Sequence, residues 1–300
     1  MDRRALTLGV LAVLAWSTVF VFGKLAISRH AADPLVLGLY RFAGSGAILV
    51  LFMVMRGKGR ALAAFGREPF GFLLLGLTGC FGMGFLIFLS LQHTTSITAQ
   101  LIMNSNPVLI VPLSLFIGER VGVPKIVGVA LGVAGCALVL NATPADAAAE
   151  GSSHLVGGLL AASSALCWAV YTVFGRGIVR RHGGLTATTI SIVLGGVFFL
   201  AACLLMRKNL VLGWHGALTG IYLAVVPTAL AFTAWFVALE KLPANVLGPL
   251  QFLAPVTGVV LAIVLLGEEL TLAMALGAAL ALCGVYLATR NGRSRKEATT

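Results

Sequence analysis

The sequence predicts an all-α integral membrane protein of ten transmembrane helices, arranged as two inverted five-helix repeats. Three observations predict it. Apolar residues make up 59% of the 300 positions and charged residues 10%, against roughly 25% charged in soluble domains. The mean hydropathy is +1.02, and a soluble fold of that composition would expose large apolar patches. The apolar residues also fall into ten runs of bilayer-spanning length, and the features of the first five recur, in order, in the last five.

The runs are roughly 5–27, 35–55, 70–91, 95–117, 124–141, 155–178, 185–206, 216–239, 244–266 and 272–289. A bilayer core takes about 20 apolar residues per helix. Each run is bounded by charge, Pro, Gly or polar turns. Arg3 and Arg4 precede the first run, which is too long for a signal-peptide core and has no convincing cleavage site after it; it reads as a retained span. Most connections are short, so neighbouring spans pack antiparallel. The longer linker, 142–154, is rich in Ala, Asp, Glu and Ser and divides the chain near its midpoint. The expected organisation is a first repeat over 1–141, an extracytoplasmic linker over 142–154, and a second repeat with a basic cytoplasmic tail over 155–300.

Charge sets the orientation. Of the 21 Lys and Arg, sixteen fall in loops or at span ends on the side of the N-terminus, three (Arg29, Arg207 and Lys208) on the other side, and Lys24 and Arg41 within spans. This bias predicts both termini in the cytoplasm and a multi-pass protein of a bacterial inner membrane. The formal charge of +11 comes with no basic stripe or aromatic-basic motif, so nucleic acid is not an expected partner. The five cysteines lie singly in apolar runs and read as packing residues.

The repeat rests on ordered matches. Trp16 and Trp168 align at an offset of 152, followed by Phe22-Gly23-Lys24 with Phe174-Gly175-Arg176. Met55-Arg56 matches Met206-Arg207 at 151, and Gly118-Glu119 matches Gly267-Glu268 at 149. Five spans is an odd number, so a second copy in series lies inverted. Inverted repeats are a hallmark of secondary transporters, with a site near mid-bilayer between the repeats.

With these residues in view, the chain resembles the drug/metabolite transporter superfamily, EamA type. The likeness rests on Trp with Phe-Gly-Lys/Arg in spans 1 and 6, Tyr40-Arg41-Phe42 opening span 2 after Pro34, and a mid-span Pro with a terminal Gly-Glu in spans 4 and 9. It covers essentially the whole chain. Span 7 departs from the pattern, because Ile192 takes the place of Arg41. The resemblance implies a central cavity among spans 1, 3, 4, 6, 8 and 9, and export of amino acids or related small metabolites.

Polar side chains in a span are costly unless they face protein or a water-filled path. In span 4, Ser96, Gln100 and Asn104 follow at i, i+4, i+8, and Pro107 continues that face. They form either one wall of a pathway or hydrogen-bonded glue between helices. Pro107 also frees a backbone carbonyl near residue 103. Trp16, Phe20 and Lys24 stack along span 1; Ser164, Trp168, Thr172 and Arg176 stack along span 6, with Tyr171 adjacent. Trp usually sits in interfacial belts, so Trp16 midway along its run offers either an indole donor to a substrate or bulk for packing. Phe85 in span 3, Trp235 in span 8, and Phe252 and Pro255 in span 9 lie on further aromatic or Pro-bearing faces, as lining or as core. Lys24 can snorkel outward. Arg41, about two turns past Pro34, binds a substrate carboxylate or pairs with Asp33 or a carbonyl. Gly128 and Gly132 in span 5, and Gly277 and Ala281 in span 10, are small-residue faces for helix packing or homodimer contact.

The ten acids and five histidines all lie in loops or at span ends. No phosphate-binding loop, metal constellation or catalytic triad is present, so neither a cofactor nor an enzyme is expected. The sequence therefore points to a secondary transporter for a small-molecule substrate, working by alternating access as a facilitator. The alternatives are a carrier for another polar metabolite, such as a sugar derivative, and an intramembrane lipid-modifying enzyme.

Overall fold

The computed structural model describes residues 2–118, 121–143, 153–242 and 247–289. In chain order the main helices are α1 (Arg3–His30), α2 (Pro34–Met55), α3 (Pro69–His93), α4 (Ser96–Asn104), α5 (Asn106–Ser114), α6 (Val123–Asn141), α7 (His154–His182), α8 (Gly184–Leu205), α9 (Trp214–Leu239), α10 (Leu253–Leu266) and α11 (Leu272–Thr289). No strand occurs among the described residues. Seven helices, α1–α3 and α6–α9, are long and apolar enough to cross a membrane, and α10 and α11 are shorter apolar helices. The protein is an all-α membrane protein.

Two runs that read as continuous spans are interrupted. Run 95–117 is split between α4 and α5 at Ser105, which takes φ −83°, ψ 6°. Pro107 has no N–H to continue the helix, and the carbonyl left open at Met103 accepts a hydrogen bond from Asn106 Nδ2 at 3.0 Å. Run 244–266 enters through a 3₁₀ turn, Gly248–Phe252, before α10 begins. Glu119, Arg120, most of the 142–154 linker and the basic tail lie outside the described residues.

Helix ends follow local chemistry. Asp33 caps α2, its carboxylate accepting from Leu35 N at 2.9 Å and Val36 N at 3.3 Å, with Pro34 in the first turn. Gly118 and Gly267, matched by sequence, both end helical segments with positive φ, +79° and +70°. That conformation favours glycine. π-helical segments interrupt both α3 (Gly76–Gly82) and α9 (Val225–Leu230).

α6 packs along α11, α2 along α8, α3 against α7, and α1 against α9 and α10. The first pair meets on small residues. A methyl group at Gly128 would lie 2.7 Å from the carbonyl oxygen of Gly284, and one at Gly277 2.9 Å from that of Gly135. The small-residue faces of spans 5 and 10 are therefore taken up by each other within one chain. Phe42 stacks on Phe199 at 5.4 Å between α2 and α8, and the Phe199 ring fills the space a side chain at Gly38 would take.

Candidate functional site

Between the two halves lies a cavity of about 380 Å³, within the ~300–1,000 Å³ of small-molecule sites. Residues of α1, α2, α3, α4, α7, α8 and α9 line it, with Asn106 of α5 and Ala254 of α10. The family resemblance implies spans 1, 3, 4, 6, 8 and 9; the structure adds α2 through Arg41 and α8 through Thr188. The rim residues Arg176 and Gln251 are exposed. They lie toward the end that carries the N-terminus, where Lys241 Nζ approaches Asp2 at 3.5 Å.

Aromatic rings form two walls. Trp16 of α1 meets Phe232 and Trp235 of α9, each with ring centroids 5.3 Å apart. Across the cavity Trp168 stacks on Tyr171 of α7 at 5.1 Å, and Phe20 also lines the space. Such tilted and stacked pairs suit an apolar or aromatic body. The indole Nε1 of Trp16 is buried and has no hydrogen-bond partner.

Arg41 occupies the far end of the cavity and is 5% exposed. Its Nε donates to Thr228 Oγ1 at 3.1 Å, and that hydroxyl donates to the Leu223 carbonyl at 2.7 Å. The five-residue reach of the second bond falls across the π segment of α9, whose looser turn brings the hydroxyl back to the carbonyl. The guanidinium carbon lies 4.9 Å from the Phe42 ring centroid and 5.8 Å from that of Phe88. Nη1 is buried without a partner. The pairing with Asp33 offered by the sequence does not form: Asp33 binds Lys208 Nζ at 2.7 Å, and this pairing holds the Lys208 ammonium above its ordinary pKa.

The polar face of span 4 divides. Asn104 lines the cavity, its Nδ2 donating to the Gln100 carbonyl at 2.8 Å. Gln100 does not line it; Nε2 donates to the Ala254 carbonyl of α10 at 2.6 Å, and the amide lies where a side chain at position 258 would sit. Ser164 likewise bridges helices, donating to the Met83 carbonyl at 2.8 Å. Phe85 packs against the core, Pro255 is buried in α10, and Phe252 faces α11 beside Leu282 and Cys283. Pro107 is not among the lining residues, although its neighbour Asn106 is.

Lys24 and Ser96 belong to the opposite end, which is clasped by charge. Lys24 Nζ donates to the carbonyls of Leu91 and Thr94 at 2.8 and 2.9 Å, at the end of α3. The Glu268 carboxylate accepts from the backbone N–H groups of Ser96 and Ile97 at 2.7 and 2.9 Å, at the start of α4. A cation on carbonyls and an anion on amides match the dipole of each helix end. The hydroxyl of Ser96 is buried and unpartnered.

Sequence reasoning missed Thr188 and Asn106 as lining residues. Thr188 sits in a Thr-rich stretch of span 7 with no matching motif in the other half. The signal for Asn106 was the freed Met103 carbonyl, which needs a nearby donor.

The profile of the EamA-like transporter family matches residues 3–141 and again 155–290. An aromatic amino acid exporter, YddG, of Ancylobacter novellus is 29% identical over 294 residues, covering 96% of this chain and 98% of that one. A probable amino-acid metabolite efflux pump of Salmonella typhimurium is 27% identical over 313 residues, covering 99% of each. A solved crystal structure superposes with a TM-score of 0.67 at 27% identity, covering 95% of both chains. The family profile matches most of the chain, in two segments that follow the two halves; the chain belongs to the EamA-like transporter family.

Proposed function

We propose that the protein is a secondary transporter that exports amino acids, aromatic or apolar ones among them, or related small metabolites, by alternating access and as a facilitator. Its ten spans form two inverted repeats, both termini are cytoplasmic, and it resides in a bacterial inner membrane. The observation that carries this reading is a cavity between the two halves, walled by Trp16, Trp168 and Trp235, with an exposed rim at the N-terminal end and charged clasps at the other. Such a one-ended cavity suits the inward-facing state of an alternating-access cycle. The double family match, and the names of relatives that cover nearly the whole chain, support the repeat and the substrate class.

Counterflow in proteoliposomes tests it. Vesicles loaded with unlabelled amino acids should transiently accumulate labelled tryptophan, phenylalanine or leucine, and protein-free vesicles should not. A panel that gives no counterflow with any amino acid sinks the substrate class.

A further inference from the structure

Resting on the transport reading, we propose that Arg41 is the carboxylate-binding residue of the cavity, and that net-anionic acids with an aromatic or apolar body occupy it in preference to zwitterionic amino acids. Arg41 is held so that it cannot follow the snorkelling route to water: Nε is tied to Thr228, Thr228 to the Leu223 carbonyl, and the head lies beside Phe42 and Phe88. Nη1 remains buried without a partner. A buried charge with an open donor is costly until a counter-charge meets it, and a carboxylate is the group that matches a guanidinium edge. Trp16 Nε1 is a second buried donor without a partner on the same cavity. Both open groups donate, so the ligand's complementary atoms are acceptors.

An amino acid also brings an ammonium group. Among the described lining residues none is Asp, Glu or His. The indole faces can attract an ammonium, but the fixed charge of Arg41 opposes it. The expected order is therefore organic anion, then zwitterion, then amine. An anion of net charge −1 also moves charge, so a membrane potential that is negative on its side of origin drives it across with no coupling ion.

Three probes sharing a phenyl ring separate these cases in proteoliposomes of the full-length protein: phenylpyruvate, phenylalanine and phenethylamine. Phenylpyruvate should half-saturate exchange at a concentration about tenfold below phenylalanine, with phenethylamine excluded. An interior-negative potassium diffusion potential should speed efflux of labelled phenylpyruvate and leave phenylalanine unchanged. Arg41→Gln should erase the preference for the anion. Thr228→Val keeps the charge but releases Nε, and should raise the half-saturating phenylpyruvate concentration several-fold; it serves if Arg41→Gln does not fold. If phenylalanine exchanges while phenylpyruvate neither competes nor responds to potential, the transport reading stands and the inference is overturned. If nothing crosses, but phenylpyruvate raises the melting temperature of the wild type and not of Arg41→Gln, the site stands and the transport reading falls. Neither crossing nor binding overturns both.

Discussion

At the scale of single residues, Gln100 and Asn104 are one helical turn apart and do different things. Asn104 presents its side chain to the cavity, while Gln100 fastens α4 to α10 through the Ala254 carbonyl. Asn104→Ala should lower counterflow and leave the detergent-solubilised protein monodisperse, with an unchanged melting temperature. Gln100→Ala should lower the melting temperature, because it opens a void and removes the bond that ties α4 to the Ala254 carbonyl of α10, a loss of about 1–3 kcal/mol. Gly258→Ala should be destabilising by a similar amount, about 1–3 kcal/mol, from overpacking against the Gln100 amide. The double variant Gln100→Ala/Gly258→Ala should recover much of that loss, and additive melting shifts would show that the two positions are not coupled. The i, i+4 spacing put both residues on one face in the sequence, but it could not say which of them abuts a glycine on another helix. Trp16 and Trp168 were legible as site candidates for a different reason: a large amphipathic ring far from the membrane surface is unusual wherever it packs.

At the scale of elements, proline and the helix ends decide what the hydropathy pattern leaves open. The runs were legible because apolar length is additive along the chain. The break at Ser105 was legible only as a freed carbonyl near residue 103; its consequence, a carbonyl at the end of α4 satisfied by Asn106, depends on a side chain from the next turn. The clasp of Glu268 on α4 was beyond sequence reading, since it joins residues 172 positions apart. In the proposed orientation that clasp closes the outer end. Glu268→Ala should therefore expose the cavity from outside: Ser17 of α1 lines the cavity, and Ser17→Cys, in a background lacking the five native cysteines, should react several-fold faster with a membrane-impermeant maleimide when Glu268 is also replaced. Equal rates would mean that the clasp does not hold the outer end shut. At the other end Glu68 binds Arg181 and His182. Hydrogen bonds from Arg181 first, then His182, hold its carboxyl below its ordinary pKa of 4.5, against the opposing effect of desolvation. A depressed carboxylate adds stability that is present above the unfolded pKa and lost as pH falls through the folded one. Wild type should thus melt above Glu68→Gln at neutral pH, and the two curves should converge below pH 4.5; a gap that persists in acid would assign the effect to packing.

At the scale of the whole molecule, positions matched between the halves share local conformations. Gly118 and Gly267 both turn the chain with positive φ, and α3 and α9 both carry a π segment near mid-helix. This supports the reading of two copies, yet the cavity they enclose is chemically uneven: Arg41 has Ile192 as its counterpart, and Asn104 has no polar equivalent in span 9. That unevenness bears on energetics. Coupling to protons needs a group that titrates while facing each side in turn, commonly Asp, Glu or His. None is among the described residues lining the cavity. Lys24 is bound to two carbonyls beyond it, and Glu268 to two backbone amides. The proposed facilitator makes a prediction here: reconstituted protein should exchange substrate with no pH gradient and no sodium, and an inward proton gradient should not concentrate a zwitterionic substrate beyond equilibrium. The measurement is the steady-state ratio of labelled phenylalanine across the vesicle membrane, with the electrical potential clamped at zero so that charge movement does not contribute. A ratio of one, with and without the gradient, is the expected result. Accumulation that collapses when the gradient is dissipated would place a titrating group on the path, and Glu119→Gln, Glu240→Gln and Glu268→Gln would identify which span-end carboxylate turns toward the cavity during the cycle.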